Sequence, residues 1–212
     1  AVRVALQKGV SVDHGDTSDS TVYETDPTAP VNVVLTANSD GSTAPLNTLR
    51  LEDDTESFWD RFQFASFGTA TNPQDADAAE LQVKVGGAWV PYSTFLADAG
   101  DPADIRGAAV VFSRTTGSGL FPEGATSWNS SWGTARLPFT VTLRPGADVD
   151  WSGDEEQNTA YAYANNVLFG QATDDAEADV DFSEGVHSLR VSKRAPNDTA
   201  THQIDPLVSL PW

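Results

Sequence analysis

The residues Asn158-Thr-Ala-Tyr-Ala-Tyr-Ala-Asn165 alternate small or aromatic side chains with their neighbours over a full strand length, and Gly170-Gln-Ala-Thr-Asp-Asp-Ala-Glu-Ala-Asp-Val-Asp-Phe182 continues in a similar way. Period-two alternation is the mark of an extended strand with one buried face, so the pair reads as two strands joined by an acidic turn. The same grammar runs through the chain. Val2–Leu6 alternates, and Val31–Asn38 is β-branched and runs into the turn signal Asn38-Ser-Asp-Gly41. Leu49–Leu51 follows, and Leu81–Val85 with Gly86-Gly87 and Ala88–Val90 reads as a hairpin. Ala108–Phe112 and Leu137–Leu143 are the most apolar strands and are expected at the centre of their sheets. Turn residues recur at the short spacing of an all-β sandwich.

One segment reads as helical. Asp54-Thr-Glu-Ser-Phe-Trp-Asp-Arg-Phe62 has a capping residue at its start, acids in its first turn and Phe58, Trp59 and Phe62 on one face. A short helix over about residues 55–62, laying its aromatics over one edge of the sandwich as a lid, is the expectation. The expected division is one sandwich over 1–195, with 196–212 as a linker or terminal docking strand. The apolar end Ile204–Trp212 would pair with the sheet edge of a neighbouring unit.

With 212 residues the chain is long enough to bury a proper core. Its 31 acidic residues against 12 Lys and Arg give a formal net charge of −19. Such a surface repels phosphate backbones and anionic membranes, so nucleic acid is excluded as an expected partner. No apolar run approaches the roughly 20 residues that cross a bilayer, so no membrane insertion is expected. Cysteine is absent, which removes disulfides, thiolate metal sites and Cys nucleophiles. Methionine is absent even at position 1, which suggests a processed or excised segment.

The order of these elements resembles the DUF11-type repeats, immunoglobulin-like domains of bacterial (actinobacterial-type) and archaeal cell-surface proteins. The matching pieces are Val4–Lys8, Val33–Gly41, Leu49–Asp53, the aromatic stretch Phe58–Phe64, Val111-Phe112, Phe139–Arg144 and the closing Asn158-Thr159-Ala160. The resemblance implies an all-β, immunoglobulin-like β-sandwich that is extracellular or at the cell surface. It would serve as a non-catalytic structural repeat, a stalk or adhesin unit, whose partners are neighbouring repeats or subunits of the same assembly.

Three chemistries are compatible with particular residues. Asp148, Asp150 and Asp154, around Gly153, offer hard oxygen ligands at alternating positions, as calcium prefers, and calcium is the only cofactor the sequence suggests. Asp174, Asp175, Glu177, Asp179 and Asp181 form a second acidic group and Asp13, Asp16 and Asp19 a third. The competing reading of all three is a solvated loop in an acidic chain. Phe121, Trp128, Asn129 and Trp132 combine flat apolar faces with an amide in a Gly- and Ser-rich loop, a mix that glycans favour; the competing reading is a Trp that plugs the sandwich. Trp89 and Trp151 read as packing residues.

Lys is scarce, with only Lys8, Lys84 and Lys193. Some surface β-domains join a Lys of the first strand to an Asn of the last through an isopeptide bond, with a buried acid moving protons. Lys8 with Asn165 or Asn166 has that chain topology. Hydrolytic catalysis finds no support: His14, His187 and His202 form no metal pair at helical spacing, and no Gly-x-Ser-x-Gly elbow exists. No catalytic site is expected.

Overall fold

The computed structural model describes residues 4–12, 21–23, 28–38, 48–73, 76–114, 135–147, 155–179, 192–193 and 202–203. Two sheets dominate these residues. The first has four antiparallel strands in the order β1 (Ala5–Val12), β3 (Val31–Asn38), β9 (Ala135–Leu143), β5 (Phe62–Phe67). The second has seven: β2 (Thr21–Tyr23), β11 (Val167–Asp179), β10 (Glu155–Ala164), β4 (Thr48–Asp53), β8 (Ile105–Ser113), β6 (Ala78–Val85) and β7 (Ala88–Pro91). All its pairings are antiparallel except β2 on β11. A further two-stranded ladder pairs β12 (Ser192–Lys193) with β13 (His202–Gln203). The all-β sandwich expected from the alternation is the fold.

Burial follows the alternation strand by strand. Val31, Val33, Leu35 and Ala37 of β3 and Ala135, Leu137, Phe139, Val141 and Leu143 of β9 face inward from the first sheet. Leu49 and Leu51 of β4, Ala108, Val110 and Phe112 of β8, and Ala160, Ala162 and Ala164 of β10 face them from the second. Each large side chain so enclosed contributes roughly 1.5–3 kcal/mol. The two most apolar strands, β8 and β9, sit inside their sheets, flanked on both sides as expected.

The expected helix is α1 (Glu56–Arg61), which carries the chain from β4 in one sheet to β5 in the other. Phe58, Trp59 and the following Phe62 are fully buried. Trp59 reaches past the edge into the core and stacks on Phe139 of the opposite sheet, with ring centroids 5.9 Å apart. A second helix, α2 (Tyr92–Ala97), escaped the sequence reading. It has six residues and buries only Phe95, too short a stretch to show a helical period.

The two hairpins differ in how well they were expected. Gly86 and Gly87 both take positive φ between β6 and β7, the two-residue turn their sequence signals. Between β10 and β11, however, the turn is not acidic. Asn165 and Asn166 make it, with φ of 52° and 64°, a conformation asparagine tolerates better than most residues. The acids then continue as strand β11, where Asp175 pairs with Gln157 and Glu177 with Glu155.

Candidate functional site

Three inward-facing rows each contain one polar residue where an apolar one belongs. On β1, Leu6 and Val10 are buried and Lys8 lies between them at the same parity. On β4, Leu49 and Leu51 are followed by Asp53. On β10, Asn158 heads the row Ala160, Ala162, Ala164. The register places Asp53 opposite Ala160, one inward step from Asn158, so the three polar groups converge at one end of the core.

They meet at a single atom. Lys8 Nζ lies 2.5 Å from Asp53 Oδ2, and both side chains are 0% exposed. Asn158 Nδ2 donates to the same oxygen at 3.0 Å. The indole of Trp59 donates to the other oxygen, Oδ1, at 3.0 Å. Asn158 Oδ1 is buried and has no hydrogen-bond partner. The lysine and amide nitrogens share one acceptor and so lie within reach of each other across the gap between the sheets.

The surroundings are apolar and closed by α1. The Phe58 ring centroid is 5.8 Å from Lys8 Nζ, and Phe58 packs against Phe62 at 4.8 Å. Thr55 ties the start of α1 to the strand that carries the asparagine: its Oγ1 accepts from Thr159 N at 2.8 Å and donates to Thr159 O at 3.1 Å. Arg144 holds the other end, donating to the carbonyls of Trp59 and Phe62. Burial lowers its pKa, and the nearby Arg106 adds to that.

Burial also pushes the Asp53 carboxyl above the ordinary carboxylate range, against the opposing pull of Lys8 and of the hydrogen bonds from Lys8, Trp59 and Asn158. A carboxyl so placed holds its proton more tightly than one in water. In a dry site the neutral acid and neutral amine compete with the ion pair, because charge separation is expensive there. The site therefore holds an amine, a carboxamide and a proton carrier together.

Of the residues proposed from sequence for this chemistry, Lys8 lies in the cluster and Asn165 and Asn166 do not. Both asparagines are exposed at the β10–β11 turn, and Asn165 is tied to Thr48 through its backbone and Oδ1. Asp53 pairs near the other end of the same ladder, about 16 Å away at a strand's rise per residue. Asn158 and Asp53 are the residues that sequence reasoning missed. Their signal was present: each is a polar residue in phase with a buried row.

Phe121, Trp128, Asn129 and Trp132 lie outside the described residues, as do Asp148, Asp150 and Asp154. So do Asp13, Asp16, Asp19, Asp181, Trp151, His14 and His187. Among the described residues no three His, Asp or Glu gather as metal ligands. Trp89 is half-buried on the outer face of the larger sheet, with the Arg50 guanidinium 4.5 Å from its ring centroid. Lys84 pairs there with Asp54 at 2.6 Å, in a part-exposed site unlike that of Lys8.

No family model matches the chain, so the DUF11-type resemblance stays at the level of its motifs, and no curated protein matches it either. Solved structures similar in fold include the major pilin subunit BcpA of Bacillus cereus, at 12% identity and a TM-score of 0.41. The full-length major pilin SpaD of Corynebacterium diphtheriae is similar at 14% identity and a TM-score of 0.37. The matches cover 84% and 89% of this chain, which spans 40% of each pilin. AvmM, which catalyses macrocyclization in alchivemycin A biosynthesis, also matches, at 12% identity and a TM-score of 0.28 over 84% of this chain and 92% of that one. At these TM-scores the likenesses settle neither family nor function, and the fold rests on the two packed sheets themselves.

Proposed function

We propose that this chain is a non-catalytic structural unit of an exported cell-surface or fibrous assembly, a repeat of the DUF11-like kind, locked internally by a self-formed amide between Lys8 and Asn158. The observation that carries the reading is the enclosed cluster of Lys8, Asp53 and Asn158, with both reacting groups on one carboxyl oxygen. A buried Lys–Asp pair alone is a poor stabilising device, since the desolvation of two charges offsets most of their attraction. A third polar residue with an orphaned carbonyl makes the cluster costlier still as a purely structural feature. As a reaction site the same features have a purpose.

The chemistry needs no cofactor. Transfer of one proton from Lys8 to Asp53 leaves a neutral amine and a neutral acid. The Asn158 amide, turned about its last torsion, places Oδ1 on the protonated Oδ2. The Lys8 nitrogen lone pair then attacks Asn158 Cγ, and the carbonyl electron pair moves to Oδ1 as Asp53 gives up its proton there. The carboxylate takes a proton from the new ammonium and delivers it to Nδ2. As the carbonyl reforms, Oδ1 returns its proton to the Asp53 carboxylate, the C–N bond breaks and ammonia departs with its bonding pair. One amide bond replaces another, and the chain loses one ammonia. Apolar walls keep water from competing for the carbonyl and strengthen each electrostatic contact.

The product joins β1 of the smaller sheet to β10 of the larger, so the sheets could no longer separate. A load entering near the N-terminus and leaving after β10 would pass through the amide and bypass the strands between. Neighbouring units of the same assembly are the partners this reading implies. Digestion with trypsin tests it directly. Lys8 should resist cleavage, and tandem mass spectrometry should find the fragment 4–50 branched onto 137–190. Lys8→Ala, Asp53→Ala and Asn158→Ala should each abolish the branched species. Cleavage after Lys8 in the folded wild-type chain would refute the amide.

A further inference from the structure

Granted the Lys8–Asn158 amide, we propose that Trp59 is a positioning residue whose indole N–H decides which oxygen of Asp53 carries the proton. An indole nitrogen can only donate. It donates to Oδ1 at 3.0 Å and can play no other part there, whereas the Asn158 amide that donates to Oδ2 can turn and present its own oxygen to a proton on that atom. The neutral acid therefore carries its proton on Oδ2. That oxygen is the one touched by both Lys8 Nζ and Asn158 Nδ2. Proton release to the amide and proton pick-up from the amine thus occur at one atom, between the two reacting groups.

Without the indole, Oδ1 has no donor of its own, and Lys8 and Asn158 are left to hold the orientation of the carboxyl. The last torsion of an aspartate is broad and nearly two-fold, so the carboxyl could turn. Lys8 and Asn158 would then take one oxygen each, and the proton would spend part of its time on the wrong one. Lys8 is the charged group acting on Asp53 among the described residues, so no other titrating partner supplies the missing order.

The direction of the indole is itself set by the smaller sheet and by α1. Its ring stacks on Phe139 of the smaller sheet and meets Phe58 edge-on at 6.0 Å. Its backbone N–H donates to Thr55 O at 3.1 Å, and Arg144 Nη2 donates to its carbonyl at 3.1 Å. The proton is placed only once α1 has docked across the core. Bond formation then follows closure of the sandwich, which protects a half-folded chain from being locked in a wrong register.

The test refolds the full chain from an unreacted, denatured state and follows ammonia loss by intact mass over a range of pH. Trp59 is replaced by β-(3-benzothienyl)alanine, which keeps the bicyclic shape and lacks the N–H; Trp59→Phe serves as a second variant. The isostere should refold with wild-type circular dichroism yet react about tenfold more slowly, the effect of losing one hydrogen bond to the neutral acid. Its pH–rate midpoint for the protonated acid should also move upward, since the indole bond favours the carboxylate. A wild-type rate, or a slower one with an unmoved midpoint, overturns the assignment. A wild-type chain that refolds and loses no ammonia overturns the amide itself, and this role with it.

Discussion

At the residue scale the central fact is a carboxyl enclosed on every side. Asp53 has its pKa raised by burial, while Lys8 pulls it down. Replacing Lys8 by Met removes the strongest opposing influence and leaves the acid buried without a cation. A group whose folded pKa lies above its unfolded one supports the fold fully below the unfolded value. That support is lost as pH rises through the folded value. Lys8→Met should therefore be most stable near about pH 4 and lose up to about 1.4 kcal/mol per pH unit above that. Urea midpoints measured across the range check it, and adding Asp53→Asn should flatten the slope. Against an unbonded wild-type chain, Asp53→Ala strands the Lys8 ammonium and should cost about 3–5 kcal/mol at neutral pH.

The placement of these residues was partly legible. Lys8 stood out because Lys is rare, and the alternation of β1 already put it in phase with Leu6 and Val10. In the sequence Asn158 reads only as part of a strand signature, and Asp53 as the last residue of another. Which asparagine faces the lysine depends on strand parity and on the stagger between sheets. Asn158 is in phase with the buried alanines, whereas Asn165 follows Ala164 directly and falls in the turn. Parity can be read from one strand; stagger between sheets cannot, since it is fixed by contacts between segments more than a hundred residues apart.

At the scale of elements, α1 does more than cover an edge. It is six residues long and far below the length that is stable alone, so its order comes from Thr55, Arg144 and its buried aromatics. Thr55→Val keeps the volume but removes the hydroxyl that bonds both the N–H and the carbonyl of Thr159. The loss should be about 1–2 kcal/mol in chemical denaturation, with slower amide formation on refolding. Unchanged kinetics would mean that the clamp does not set the position of Asn158. The aromatic pattern of α1 was readable because three large residues fell on one helical face. The second helix was not, because a single buried residue makes no pattern.

For the whole molecule, the alternation, the paired turn residues and the apolar runs were enough to give a two-sheet sandwich with β8 and β9 inside. What the pattern left open was the order of strands, such as β1 lying in a different sheet from β10. That order is what gives a Lys8–Asn158 bond its effect, because it would staple one sheet to the other. A cross-link closing a loop of roughly 150 residues should raise stability by about 5 kcal/mol through lost chain entropy in the unfolded state. Bonded wild type and an unbonded Asn158→Ala chain should differ by at least that much in urea.

The most direct measurement is the intact mass of the folded, purified wild-type chain under denaturing conditions, beside that of Asn158→Ala. The wild type should weigh one ammonia less than its sequence requires, while the variant should match its own sequence. A wild-type mass equal to the plain sequence would contradict the covalent lock and leave Lys8, Asp53 and Asn158 as an unreacted polar cluster in the core.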